Sequence, residues 1–149
     1  MPTRIQIRDK TAHLLEPKLR DLLRIISGEG PALHWAILEF EAVGNLSPGP
    51  HVGEINEIIK RSPSGFLLDW GHLVTIADKL LQAINATFVG CRTAESLPGV
   101  HDSDIYAKSE IVIEVVDSSW WEVYARDDRV VQRFIDAFHE VVIVDRREK

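Results

Sequence analysis

The chain has 149 residues, 45% of them hydrophobic and 27% charged, a single cysteine and a formal net charge of −6. That length bounds it to one domain with a core that needs no disulfides, and the lone Cys91 excludes an intramolecular disulfide and a cysteine-built metal site. The negative balance argues against general nucleic-acid binding, no apolar run approaches membrane-spanning length, and the opening MPTRIQIRDK lacks the apolar stretch of a signal peptide, so a cytoplasmic protein is expected.

In chain order, Thr3–Ile7 reads as a short strand. Residues 16–27 read as a helix with Leu19, Leu22, Leu23 and Ile26 on one face, Pro17 in the first turn and Gly28 as the stop. Leu33–Val43 is the next expected strand, with Trp35, Ile37, Glu39 and Glu41 on one side and His34, Ala36, Leu38 and Phe40 on the other. The two prolines of Asn45–Pro50 mark a loop, and Val52–Lys60 a short helix. A short strand is expected over Gly65–Asp69, where Asp69 can cap a helix running from about Trp70 to Ile84 on the stripe Leu73, Ile76, Ala77, Leu80, Leu81 and Ile84. Ala86–Cys91 is a further strand. Thr93–Ser109 is the longest stretch without periodicity, of a length often functional or mobile.

The organising stretch is Ile111 to Phe138, predicted as a β-hairpin followed by an amphipathic helix. Ile111–Val116 and Trp120–Ala125 are rich in β-branched and aromatic residues, and Asp117-Ser118-Ser119 is turn chemistry. A three-residue loop would set Glu114 directly opposite Glu122, and facing like charges destabilise a ladder. A two- or four-residue loop avoids this, so the expected register pairs Val116 with Trp121 and Glu114 with Val123. Val112, Glu114, Val116, Trp121, Val123 and Ala125 then form the core face. The other face carries Ile113, Val115, Asp117, Trp120, Glu122 and Tyr124, aromatic rings among carboxylates. An Asp of Arg126-Asp127-Asp128 caps a helix over Val130, Val131, Phe134, Ile135 and Phe138. A strand over residues 140–144 closes the fold, and residues 146–149 form a frayed tail. The expected architecture is α+β: a mixed sheet of about five to seven strands with three to four packed helices, ending in hairpin, helix and strand.

Chemistry is harder to find. The six histidines are dispersed, with no pair at ligand spacing, and no phosphate loop, dinucleotide fingerprint or serine elbow is present. No cofactor or metal is implied. Glu39 and Glu41 share a strand face, so a small hydrolase using them with a histidine, metal-assisted or not, stands as one alternative; paired strand carboxylates are more often solvent-facing. Cys91 reads as a small buried hydrophobe rather than a nucleophile. A homodimer joined through the aromatic strand face is another alternative.

Charge is uneven. Residues 1–24 carry a net +3 and residues 101–128 a net −6, so the acidic block coincides with the hairpin and its approach. Such a block favours a basic partner, or serves solubility alone. The DWGHLVTIADKLLQAI helix and the DSSWWEVYARDDRVVQRFIDAF ending together resemble the small immunity proteins that accompany bacterial polymorphic and contact-dependent toxins. That resemblance implies a non-catalytic protein that blocks a basic toxin. Trp120, Glu122 and Tyr124 would contact it, helped by Asp117, Asp102 and Asp104.

Overall fold

The structure, a computed structural model, describes residues 3–146. Its sheet grows from alternating sequences. In β1 (Thr3–Ile7) every second residue is buried, leaving Arg4 and Gln6 on the opposite face from Ile5 and Ile7. A small hairpin follows, β2 (Lys10–Thr11) with β3 (Leu14–Leu15), which the sequence did not announce. Helix α1 (Leu19–Ile25) buries Leu19, Leu22 and Leu23 as its stripe predicts. It is shorter than expected, and Pro17 precedes it rather than opening it. Then come β4 (His34–Gly44), α2 (Val52–Arg61), β5 (Phe66–Leu68), α3 (Trp70–Lys79), β6 (Leu80–Cys91), β7 (Ile111–Val116), β8 (Trp120–Ala125), α4 (Asp128–Ala137) and β9 (Val141–Arg146). Arg146 ends β9, and the remainder of the expected tail lies outside the described residues.

Helix starts follow capping chemistry. Asp69 accepts from the His72 N–H at 2.9 Å and Asp127 from the Arg129 N–H at 2.9 Å, each satisfying a first-turn donor that has no intrahelical partner. At α2 a reciprocal pair does the same, with the Glu54 N–H donating to His51 Nδ1 at 3.1 Å and the His51 N–H to Glu54 Oε1 at 3.2 Å.

Seven strands pair in the order β5-β4-β6-β7-β8-β1-β9, and every ladder is antiparallel. All four helices pack on one face. Residues such as Leu22, Ile55, Leu73 and Phe134 meet Ile5, Trp35, Phe40, Phe88, Ile113 and Trp121 there in a single cluster. Two indole N–H groups are satisfied inside it, Trp35 by the Gly30 carbonyl at 3.0 Å and Trp121 by the Pro17 carbonyl at 2.8 Å. Gly90 lies opposite Trp35, and a Cβ there would come within 2.9 Å of the indole, so this strand position needs a glycine.

Three expectations are corrected. The helix predicted to Ile84 stops at Lys79, and Leu80–Asn85 instead extend β6 along β4. The long-range ladder overrides a helical stripe that local spacing alone supports. In β4 the register shifts after Ile37, so Phe40, not Glu39, joins Trp35 and Ile37 on the helix face. An extra residue at a bulge reverses the alternation beyond it.

The third correction is the hairpin. Val116 pairs with Trp120 and Glu114 with Glu122, the register of a three-residue loop. Asp117 and Ser118 take φ values of 53° and 56°, and the Ser119 N–H donates to the Val116 carbonyl at 2.8 Å. Ile111, Ile113 and Val115 therefore share the helix face with Trp121, Val123 and Ala125, while Val112, Glu114 and Val116 turn away. A slip of one residue flips a whole strand. Three apolar side chains against the helices outweigh one half-buried like-charge pair on the opposite face.

This register is checked by substitution. Ile113→Ala is expected to cost about 2–5 kcal/mol in denaturant unfolding, as for a buried aliphatic residue, and Val116→Ala within about 0.5 kcal/mol. The opposite ranking would restore the rejected register.

Candidate functional site

The sheet's second face is divided. Its upper half carries Ala36, Leu38, Val89, Val112 and Tyr124, and these are roofed by Leu97, Val100, Ile105 and Tyr106. The aperiodic stretch between β6 and β7 is thus a cover. The Val100 N–H donates to the Pro63 carbonyl at 2.8 Å and Arg126 Nη2 to the Ala107 carbonyl at 2.9 Å, pinning it at both ends. Cys91 lies beneath it, its thiol 3.7 Å from the Ser109 hydroxyl, and burial pushes that thiol up, away from the thiolate a nucleophile requires.

The lower half is open. The ladders align Glu39, Thr87, Glu114, Glu122 and Gln6 in one row across five strands, from β4 through β6, β7 and β8 to β1. At about 4.8 Å per strand the row runs roughly 19 Å. Beside it, Asn85 links the next row to the hairpin turn, donating to Glu41 Oε1 at 2.8 Å and accepting from the Asp117 N–H at 2.8 Å.

Glu114 and Glu122 face each other yet are held by different donors. Tyr106 OH donates to Glu114 Oε1 at 2.7 Å, with Thr87 Oγ1 3.4 Å from the other oxygen. Gln6 Nε2 and the Trp120 indole N–H both donate to Glu122 Oε1, at 3.0 and 3.2 Å, and Arg4 Nε lies 3.9 Å from Oε2. Arg4 also donates to Tyr106 OH at 3.1 Å and sits 5.3 Å from that ring's centre. Arg8 lies over the Trp120 ring at 4.7 Å. Burial raises the Glu114 carboxyl, and the Glu122 charge adds to this while the Tyr106 bond opposes it. Tyr106 is raised as well, by burial and then by the charge of Glu114, so it stays protonated as a donor.

Of the residues expected to meet a partner, Trp120 and Glu122 lie on this face, both half-buried. Asp117 is exposed at its lower end. Tyr124 is 4% exposed and stacks edge-on with Tyr106 at 5.1 Å, so it is a packing residue under the cover rather than a contact. Asp102 and Asp104 belong to the cover and order it, accepting from the Asp104 and Tyr106 N–H groups at 3.1 and 3.0 Å. Arg4, Gln6, Arg8, Thr87 and Tyr106 were missed. The alternation of Arg4, Gln6 and Arg8 with Ile5 and Ile7 was the available sign that these three share a face.

Glu39 and Glu41 are exposed on this surface, while His51 and His72 contact Glu54 and Asp69 on the helices. Among the described residues no three His, Cys, Asp or Glu side chains gather as a metal site would require, and no helix is long and apolar enough to cross a membrane. Neither a protein-family model, nor a curated protein, nor a solved structure matches the chain.

The raised Glu114 carboxyl has a signed consequence. Between the ordinary carboxylate range and its raised value the folded state holds the proton more tightly than the unfolded chain, so this group lowers stability as pH rises through that window. Glu114→Gln keeps an acceptor for Tyr106 and removes the facing charge. It should stabilise the protein at pH 7 by roughly 0.2–1 kcal/mol, the scale of a cross-strand charge pair. Unfolding measured against pH should show the gain vanish on acidification; a gain that persists at low pH would place the burden elsewhere.

Proposed function

We propose that the chain is a non-enzymatic binding protein of the immunity kind, whose open half-sheet receives a basic, toxin-like partner protein. The observation that carries this reading is the division of the second face. A cover seals the apolar upper rows, and the lower rows present Glu39 and Glu41 to solvent on β4 and a half-exposed Trp120 three strands away on β8, with Asp117 at the hairpin turn. A half-exposed Trp with acidic groups on the same sheet face fits an interface, whose rim is polar and where Trp is a common energetic anchor. Arg4 engages Glu122 and the exposed Arg8 lies over the Trp120 ring, so the acidic charge left for a partner is chiefly that of Glu39, Glu41 and Asp117. The net charge of −6 would speed the encounter with a basic protein. The lone cysteine, a buried free thiol, supports a cytoplasmic setting.

The test is co-purification from the native host with variants alongside. A stoichiometric basic protein should accompany the tagged wild type, bind Trp120→Ala at least tenfold more weakly, and be lost with Glu39→Lys/Glu41→Lys, all three proteins melting alike. A partner retained by the double charge reversal would remove the open face from the interface. Tyr124→Ala should act differently, costing about 3–5 kcal/mol of stability as a buried aromatic does.

Self-association is a second reading, supported by β9. This edge strand pairs with β1 and exposes Val142, Ile143 and Val144 at 49%, 48% and 40%. An uncovered edge of β-branched residues is a template for pairing with another strand. Sedimentation of wild type and Ile143→Lys at micromolar concentration decides it: a dimer abolished by the lysine supports self-association, and a wild-type monomer removes it.

A further inference from the structure

The two most exposed large hydrophobic residues of the described chain, Leu81 at 70% and Leu14 at 68%, lie in one place. They border a cleft of about 420 Å³ on the helix side of the sheet, which meets the open acidic face only at the hairpin turn, through Asp117. The β2–β3 hairpin forms one wall and the β7–β8 turn another, with the start of β6 between them and Trp121 at the base. Its volume falls within the roughly 300–1,000 Å³ of small-molecule sites, and its lining mixes apolar side chains with a nearly equal set of polar and charged ones.

Charge distinguishes the cleft from the rest of the molecule. Lys10, His13 and Lys18 line it and Asp117 is the only acid that does, in a chain whose balance is −6. The basic N-terminal stretch, which the open face uses only through Arg4 and Arg8, therefore supplies a positive rim. Lys18 Nζ is 3.4 Å from the Leu81 carbonyl, which sets an ammonium directly beside the exposed leucine.

Two tight hairpin turns meet at the same place. Among the described residues the positive-φ positions other than glycine are Ala12, His13, Asp117 and Ser118, at 52°, 67°, 53° and 56°. They form two tight turns, and three of the four residues line the cleft. Left-handed conformations of this kind are what short hairpin loops require, so two walls of the cleft are tight, well-defined turns.

The geometry points to a binding site for a small amphiphile, an apolar body with one anionic head. The body would lie across Leu14, Leu81 and the Trp121 base, and the head would meet Lys10 and Lys18. Shielding two leucines that now face water supplies the drive, and the rim selects the sign of the head.

Decanoate below its micelle threshold is the probe, with decanol and decyltrimethylammonium as controls of equal chain length. Amide NMR on the full chain should show saturable, one-to-one decanoate shifts confined to residues 10–19, 80–83 and 117–121. Decanol should bind at least tenfold more weakly and the cation should leave those residues unmoved. Lys10→Glu/Lys18→Glu should weaken decanoate at least tenfold. Leu14→Ser, at an exposed position that does not hold the fold, should also weaken it. Three results would each overturn the proposal: equal binding of the cation, shifts spread over other exposed apolar residues such as Leu67 and Val142, or full decanoate affinity in both variants with their spectra otherwise intact.

Discussion

A strand has two faces and no third option, and in this protein one ladder decides what each face becomes. Pairing Val115 with Trp121 and Ile113 with Val123 directs a continuous apolar surface at α1, α3 and α4. Glu114 must then point away and must meet Glu122. The whole polar row across the second face follows from that choice, because Thr87 and Gln6 are simply the residues in register with those two acids. The facing carboxylates are tolerated because their donors come from separate elements, Tyr106 on the cover and Gln6 on β1.

The cover and the acid row depend on each other. Tyr106 packs on Tyr124 through its ring and on Glu114 through its hydroxyl, so one side chain joins the apolar upper half to the polar lower half. Arg4 completes the link by reaching both Tyr106 and Glu122. The margin of the open surface is therefore held by bonded side chains rather than by loose loop, a favourable starting point for binding because less ordering is needed on contact.

Legibility from sequence tracked how local the deciding force was. The cap at Asp69, an Asp cap within Arg126-Asp127-Asp128 and the stripes of α1 and α4 are readable because their partners lie within a few residues. The end of α3 was not, since Leu80 and Leu81 continue a helical spacing and only pairing with distant β4 makes them strand. The hairpin was half legible: Trp121, Val123 and Ala125 were placed inward correctly, and Ile113 and Val115 were not. Charge repulsion between Glu114 and Glu122 is relieved there by donors from distant elements, which local sequence does not reveal. Glu122 and Trp120 were recognised as surface candidates by their composition. Arg4 and Tyr106 were not, because they are 102 positions apart and no periodicity connects them. Tyr124 was assigned to the outer face correctly; what hid its burial was that Thr93–Ser109 lacks any pattern announcing a roof.

The place of β1, between β8 and β9, also constrains how the molecule is made. Gln6 and Glu122 lie 116 positions apart, so β1 is synthesised long before the strands it pairs with. At roughly 5–20 residues per second, about 6–23 s of synthesis separate the two. Through that interval Ile5 and Ile7, both fully buried in the finished protein, have no sheet to enter. β4 and β6 can zip together meanwhile, which makes their long ladder the natural seed and β1 the closing stave. The flanking charges Arg4, Arg8 and Lys10 then have a second use, keeping a short apolar strand in solution until its slot exists.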